Sequence, residues 1–256
     1  MWTTRLFAFS AAIVLGGIEA DAAELKVFVG GAMTETVEKI GADYARASGN
    51  KIEYVSDTTG ALLNRLKAGE KPDVIVVTAT AMDGLQKDNA LVSGSRAELV
   101  RALIGVAMKP GGKAPDLSSP DAFKASLLAA RSVSYVNPKA GGTSGTYFEG
   151  LLAKMGIAEQ MKTKIVYRNQ GSEVADAVAK GDAELGISFI AELAPNKGLK
   201  VAGPLPAAIQ LPTNYAAAIP SVSAAANQNA ARAYIAAMTS ASGTAVFKAA
   251  GLEPLH

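Results

Sequence analysis

Two stretches of this chain end a β-forming run on small and hydroxyl residues and open a helix at once. Ile52-Glu53-Tyr54-Val55 stops at Ser56-Asp57-Thr58-Thr59-Gly60, and the amphipathic spacing Leu62, Leu63, Leu66 follows. Ile165-Val166-Tyr167-Arg168 stops at Asn169-Gln170-Gly171-Ser172, and a helical pattern runs on to Lys180-Gly181. Such a junction turns free backbone N–H groups, and the positive end of a helix dipole, toward the carboxyl edge of a sheet, where they bind anions. Ile52 and Ile165, Tyr54 and Tyr167, and Lys67 and Lys180 are each 113 positions apart. The repeat implies two matched halves closing on one small anion.

Two further stretches have the same character: Gly30-Gly31-Ala32-Met33 after the first strand, and Gly141-Gly142-Thr143-Ser144-Gly145-Thr146. Any one of them is explained as helix capping alone. Four in register, at the edge where open α/β sheets bind ligands, argue for a ligand.

Catalytic chemistry finds little support. His256 is the single histidine and the last residue, so a Ser–His pair has no base. Thr146 stands where a nucleophile elbow needs its second Gly. There is no cysteine, no Gly-Lys-Ser/Thr phosphate loop and no calcium-loop spacing. No catalytic residue, metal or cofactor is therefore expected, and Glu149, Asp176 and Glu192 read as solvated helix charges. Arg168, directly after its strand, and Arg101, before the run 104–108, are the two side chains suited to gripping a carboxylate through paired hydrogen bonds. If either faces the ligand, that ligand is an organic di- or tricarboxylate.

The elements that position these residues are legible in order. Strands are expected at 25–29, 52–55, 73–78 and 103–108, with helices from Thr34, at 61–68, and shorter ones at 83–88 and 95–99. A second unit restarts at 133–136 and continues with a helix over 144–152, strand 164–167, helix 172–180 and strand 184–189. A long apolar strand at 214–219 and helices at 229–238 and 242–250 close the chain. The β-α-β-α-β order implies an α/β fold of two lobes, each a parallel-type sheet flanked by helices. The chain is expected to cross between them near 104–108 and 208–216, giving one lobe of 23–104 plus 209–256 and another of 105–208. Arg5, the apolar run Leu6–Ile18 and Ala20-Asp21-Ala22 read as a signal peptide cleaved after about Ala22, so the expected location is the periplasm. A net charge of +2 without a Lys/Arg cluster argues against nucleic acid, and no later segment reaches the length of a membrane span.

The chain after the signal resembles the periplasmic molybdate-binding proteins of ABC importers, within the type II periplasmic solute-binding fold. The resemblance is carried by Lys26–Ala32, Thr59-Gly60-Ala61-Leu62 with Lys67-Ala68-Gly69, Asp73–Val76, Ser144-Gly145-Thr146-Tyr147, Gly171–Gly181, Leu185-Gly186-Ile187 and Ser242–Gly251. It implies a monomeric transport protein without catalysis or cofactor, which captures a molybdate- or tungstate-like oxyanion and delivers it to a membrane permease. The family's ligand positions fall on Ala32, Thr59, Ser144, Val174 and Phe189, with Thr58 and Gly145 beside them. Ala32 and Phe189 stand where Ser and Tyr hydroxyls are usual. Two donors worth about 1 kcal/mol each are thereby lost, which marks a divergent member.

Overall fold

The computed structural model describes residues 22–256. Apart from Ala22, the expected signal peptide lies outside the described residues. The first unit runs β1 (Glu24–Gly30), a 3-10 turn at Gly31–Met33, α1 (Thr34–Ser48), β2 (Lys51–Asp57), α2 (Thr59–Lys67), β3 (Val74–Thr78), α3 (Ala79–Lys87) and β4 (Ala97–Ala102). The second unit runs β5 (Ile104–Met108), α4 (Pro120–Ala129), β6 (Val133–Val136), α5 (Thr143–Lys154), α6 (Ala158–Met161), β7 (Ile165–Arg168), α7 (Gly171–Lys180), β8 (Leu185–Phe189), α8 (Ile190–Leu193) and β9 (Lys200–Pro204). The chain ends with β10 (Thr213–Ala218), α9 (Gln228–Thr239), α10 (Ala241–Ala249) and β11 (Glu253–Pro254).

Local chemistry explains the boundaries. α1 turns Val37 and Ile40 inward and stops at Gly49, whose left-handed φ of 77° a side chain would resist. α2 starts where the Thr58 hydroxyl accepts the Ala61 N–H at 3.2 Å. Every residue of β3 and of β8 is buried, as expected of strands covered on both faces. The helix expected at 95–99 is instead the start of β4. Leu99, Val100 and Ala102 are buried there, and the strand pairs antiparallel with β10. A short apolar run carries no period that separates helix from strand, and pairing decided it.

The strand orders are β11-β4-β10-β3-β1-β2 and β7-β6-β8-β5-β9. In each sheet three strands are parallel, β2-β1-β3 and β7-β6-β8. In each, an antiparallel strand then joins the third, β10 on β3 and β5 on β8. The sheets are therefore mixed, parallel only where β-α-β units build them. The chain leaves the first sheet between Ala102 and Ile104 and returns to it between Pro204 and Thr213. Its tail packs α9 and α10 against α1 and lays β11 on β4.

One apolar cluster runs through both units, from Leu25 and Val76 through Ile104 and Phe189 to Phe123 and Phe148. Each fully buried Leu or Phe of this kind contributes roughly 1.5–3 kcal/mol relative to exposure. This continuity fixes the carboxyl edges of β1, β2, β6, β7 and β8 toward a single cleft.

Candidate ligand-binding cleft

The cleft is lined from the first unit by Gly31, Asp57, Thr58 and Thr59, and from β10 by Tyr215. From the second unit it is lined by Gly142, Thr143 and Ser144, by Gln170 and Gly171, and by Val136, Phe189 and Glu192. The starts of α2, α5 and α7 thus meet at one place. The two sides are in contact. Gly60 N–H donates to the Gly141 carbonyl at 3.2 Å, and the Thr58 hydroxyl donates to the Ala140 carbonyl. The space between the sides that water can reach is about 20 Å³, too small for an organic solute until they part.

Each junction is set by its own sequence. Asp57 accepts the Thr58 N–H at 2.7 Å. At α5, Gly142 is the cap, and Gly145 lets the helix lie against β6: a methyl there would sit 1.9 Å from the Val136 carbonyl oxygen. At α7, Gln170 and Glu173 form a capping box.

Of the expected site residues, Thr58, Thr59, Ser144 and Phe189 line the cavity. Ala32, in the middle of the 3-10 turn, is buried, and Gly31 is the residue that reaches the cavity. Gly145 is packed behind Ser144, and Val174 is fully buried in the second core cluster, where it holds α7 against Gly186 of β8. Arg168 does not line the cleft. It donates to the Tyr167 carbonyl at 3.0 Å and to Asp182 Oδ2 at 3.1 Å. Arg101 also points elsewhere, to Asn214 at 3.3 Å and Glu253 at 3.7 Å on the sheet edge. Arg101 lies within β4 and Arg168 closes β7, and each guanidinium turns away from the cleft.

The reading of Glu192 as a solvated helix charge is corrected. Its side chain is in the cavity wall, and burial pushes its carboxyl above the usual range even though the Ser188 hydroxyl and the Phe189 backbone N–H hold it down. The Ser188 hydroxyl donates to Glu192 Oε2 at 2.5 Å and lies 3.4 Å from the Ser144 hydroxyl. The carboxyl occupies the gap between the sides. A methyl on Gly31 would lie 2.5 Å from Glu192 Oε1, and one on Gly171 would lie 2.1 Å from Oε2. No cation pairs with it among the described residues. Glu149 is likewise engaged rather than free, accepting from the Tyr135 hydroxyl. Asp176, by contrast, is a surface charge with Lys180 at 3.6 Å.

Tyr215 was also outside the sequence reading. Its ring meets Phe189 edge-on, with centroids 5.9 Å apart, and burial beside Glu192 raises its phenol well above the ordinary value. The phenol absent at position 189 is thus brought to the same wall by β10. The only sequence signal for Tyr215 was an aromatic in a long apolar strand. For Glu192 it was an acid three residues beyond a strand end, the third position of a helix start.

The sequence profile described as bacterial extracellular solute-binding protein matches residues 25–253. A Pseudomonas sp protein named aconitate isomerase is 30% identical over 237 residues, covering 90% of this chain and 88% of its own. The molybdate-binding protein ModA of Azotobacter vinelandii is 29% identical over 181 residues, 68% of each chain. Among solved structures, the periplasmic molybdate-binding protein of Azotobacter vinelandii gives a TM-score of 0.71 at 22% identity, covering 89% of this chain and 98% of its own. The A. tumefaciens R10 binding protein AgtB, in complex with agropinic acid, gives 0.64 at 15% identity over 91% and 83%. These likenesses show the two-lobed α/β fold of periplasmic binding proteins.

Proposed function

The chain belongs to the bacterial extracellular solute-binding proteins, and from that premise we propose that it captures a small organic polycarboxylate for the permease of an ABC importer. In this reading residues 23–104 with 209–256 close as one lobe on 105–208 as the other, in the periplasm, and the protein acts as a monomer. Closure is favoured only so far as the ligand touches both sides.

The observation that carries the ligand class is the pairing of main-chain donors with a half-buried acid and apolar walls. A tetrahedral oxyanion presents charged oxygen in every direction, and here one direction holds Glu192 and another Val136 and Phe189. An ionised Glu192 would repel it. A polycarboxylate divides its surface differently. Its carboxylates can meet the starts of α2, α5 and α7, while its carbon skeleton lies on Phe189 and Val136. The anion is then held by main-chain N–H groups with Thr58, Thr59 and Ser144, and Arg168 and Arg101 take no part. Ala32, Gly145 and Val174 support that wall from behind. The relative named aconitate isomerase, matching over 90% of this chain, supports a tricarboxylate of the aconitate class.

Calorimetric titration decides the ligand. Aconitate and related tricarboxylates are expected to bind, and molybdate, tungstate and sulfate to bind weakly or not at all. Tight molybdate binding with no response to carboxylates would return the site to the oxyanion reading.

A further inference from the structure

We infer that the cleft also moves a proton: the Glu192 carboxylate removes one from a methylene carbon of a bound unsaturated polycarboxylate and returns it to another carbon of the same molecule. The inference rests on the ligand class proposed above and assigns to that site a reaction as well as a capture.

The argument starts from what Glu192 does not need to be. A trap for anions gains nothing from a carboxyl in its wall. If ionised it repels the ligand, and if neutral it could be replaced by an amide or hydroxyl donor. Yet this carboxyl is sunk between Gly31 and Gly171, at positions where any side chain on either glycine would collide with it. Ser188 fixes its orientation at 2.5 Å, and Ser144 links that hydroxyl to the start of α5. Burial without a cation makes it a stronger base than an exposed carboxylate and lets it exchange a proton nearer neutral pH. It stands within the same cavity as the three helix starts proposed to hold the ligand's carboxylates.

The step balances within ligand and side chain. The C–H electron pair of the methylene group becomes a new C=C bond toward the adjacent alkene carbon. The old double bond passes its electrons to its far carbon, and that carbon takes the proton from Glu192. No oxidant, metal or co-reactant is consumed. The charge that develops between the two halves spreads onto the flanking carboxylate oxygens, where preorganised N–H groups stabilise it. Rotation about the delocalised system before reprotonation changes the alkene geometry. Tyr215, on the same wall beside Phe189, is placed to hydrogen-bond that charge.

The test uses the full mature chain with trans-aconitate in D2O, followed by proton NMR, and calorimetry in parallel. The wild type is expected to bind and to place deuterium at the methylene and vinyl carbons. E192Q preserves size and keeps one acceptor oxygen for the Ser188 hydroxyl, so binding is expected to weaken by no more than about tenfold. Exchange is expected to fall by about 100-fold or more, as for loss of a general base. Y215F is expected to slow exchange by a smaller factor and to leave E192Q no slower when combined with it. Binding by the wild type with neither deuterium incorporation nor conversion of trans-aconitate to its cis isomer, or exchange and conversion by E192Q at the wild-type rates, overturns the proton-transfer role while leaving the ligand class intact. Absence of binding overturns both.

Discussion

At the end of β3 the chain enters α3 through Thr78, whose hydroxyl accepts the Ala81 N–H at 3.4 Å. At the matching corner of the second sheet, the end of β8, the cap is Phe189, and the position equivalent to Ala81 holds Glu192. The two corners have the same topology, third strand of a parallel triplet into a helix, and solve the same problem of free N–H groups. One solves it with a neutral hydroxyl and leaves no ionisable group. The other commits a half-buried carboxyl that faces the cleft. Glu192 accepts the Phe189 N–H as a cap, but the first corner is turned without an acid, so the acid's place in the cleft wall calls for a reason in the ligand.

The largest expected effect tests whether the paired units are equally tight. Gly145→Ala would place its methyl 1.9 Å from the Val136 carbonyl oxygen, a backbone atom that cannot swing away. Gly30→Ala, at the end of β1, meets the Tyr215 ring at 3.3 Å, which needs only a small adjustment. Chemical denaturation is expected to show a loss of about 3 kcal/mol or more for the first and about 1 kcal/mol or less for the second. Equal losses would mean that the units tolerate volume alike.

Gly60→Ala separates closing from folding. Gly60 lies inside α2, where Ala stabilises a helix by about 0.5–1 kcal/mol. Its new methyl would stand 2.9 Å from Gly141 Cα across the cleft. The variant is therefore expected to unfold at a slightly higher temperature without ligand and to bind its ligand about tenfold or more weakly. A binding loss matched by a stability loss would place the fault in α2 and not in closure.

The titration of Glu192 gives a sharper, smaller test. The groups facing it are the Ser188 hydroxyl, the Phe189 N–H and the Tyr215 phenol, with Asp57 elsewhere on the cavity wall. Burial raises the folded-state pKa above the ordinary 4.5. The sign follows: below that ordinary value both states are protonated and nothing is lost. As pH rises through the folded value, the ionised form penalises the native state. E192Q has no such proton, so its melting temperature relative to wild type is expected to climb as pH rises above 4.5 and to level off above the folded value. A flat difference would mean that the carboxyl is solvated after all. The depressed carboxyls at Glu70 and Glu184, paired with arginine, act in the opposite sense and are common to both proteins.

How much of this was visible in residues alone follows from what each signal depends on. The two β–α repeats were legible because hydroxyl and glycine punctuation is local, and Thr58, Thr59 and Ser144 come together at the places such punctuation marks. β4 was misread because strand identity there is conferred by β10, more than a hundred residues away. Glu192 was misread because its burial comes from Gly31 and Gly171, neither of which is near it in sequence. Tyr215 is invisible for the same reason, its neighbour Phe189 belonging to the other sheet. Local chemistry could be read, and convergence could not.

Arginine placement gives the smallest expected effect and the cleanest contrast between surface and cleft. Arg168 closes β7 as Asp57 closes β2, yet Asp57 lines the cavity while the Arg168 guanidinium turns to Asp182, which is itself largely exposed. An ion pair of this kind is worth about 0–1 kcal/mol, since both partners remain hydrated. Arg168→Ala is accordingly expected to lower stability by less than about 1 kcal/mol and to leave tricarboxylate affinity within about twofold, as is Arg101→Ala. A hundredfold loss of carboxylate affinity in either variant would show that the open form brings an arginine to the ligand before the sides meet. Main-chain donors would then be the second grip, and arginine the first.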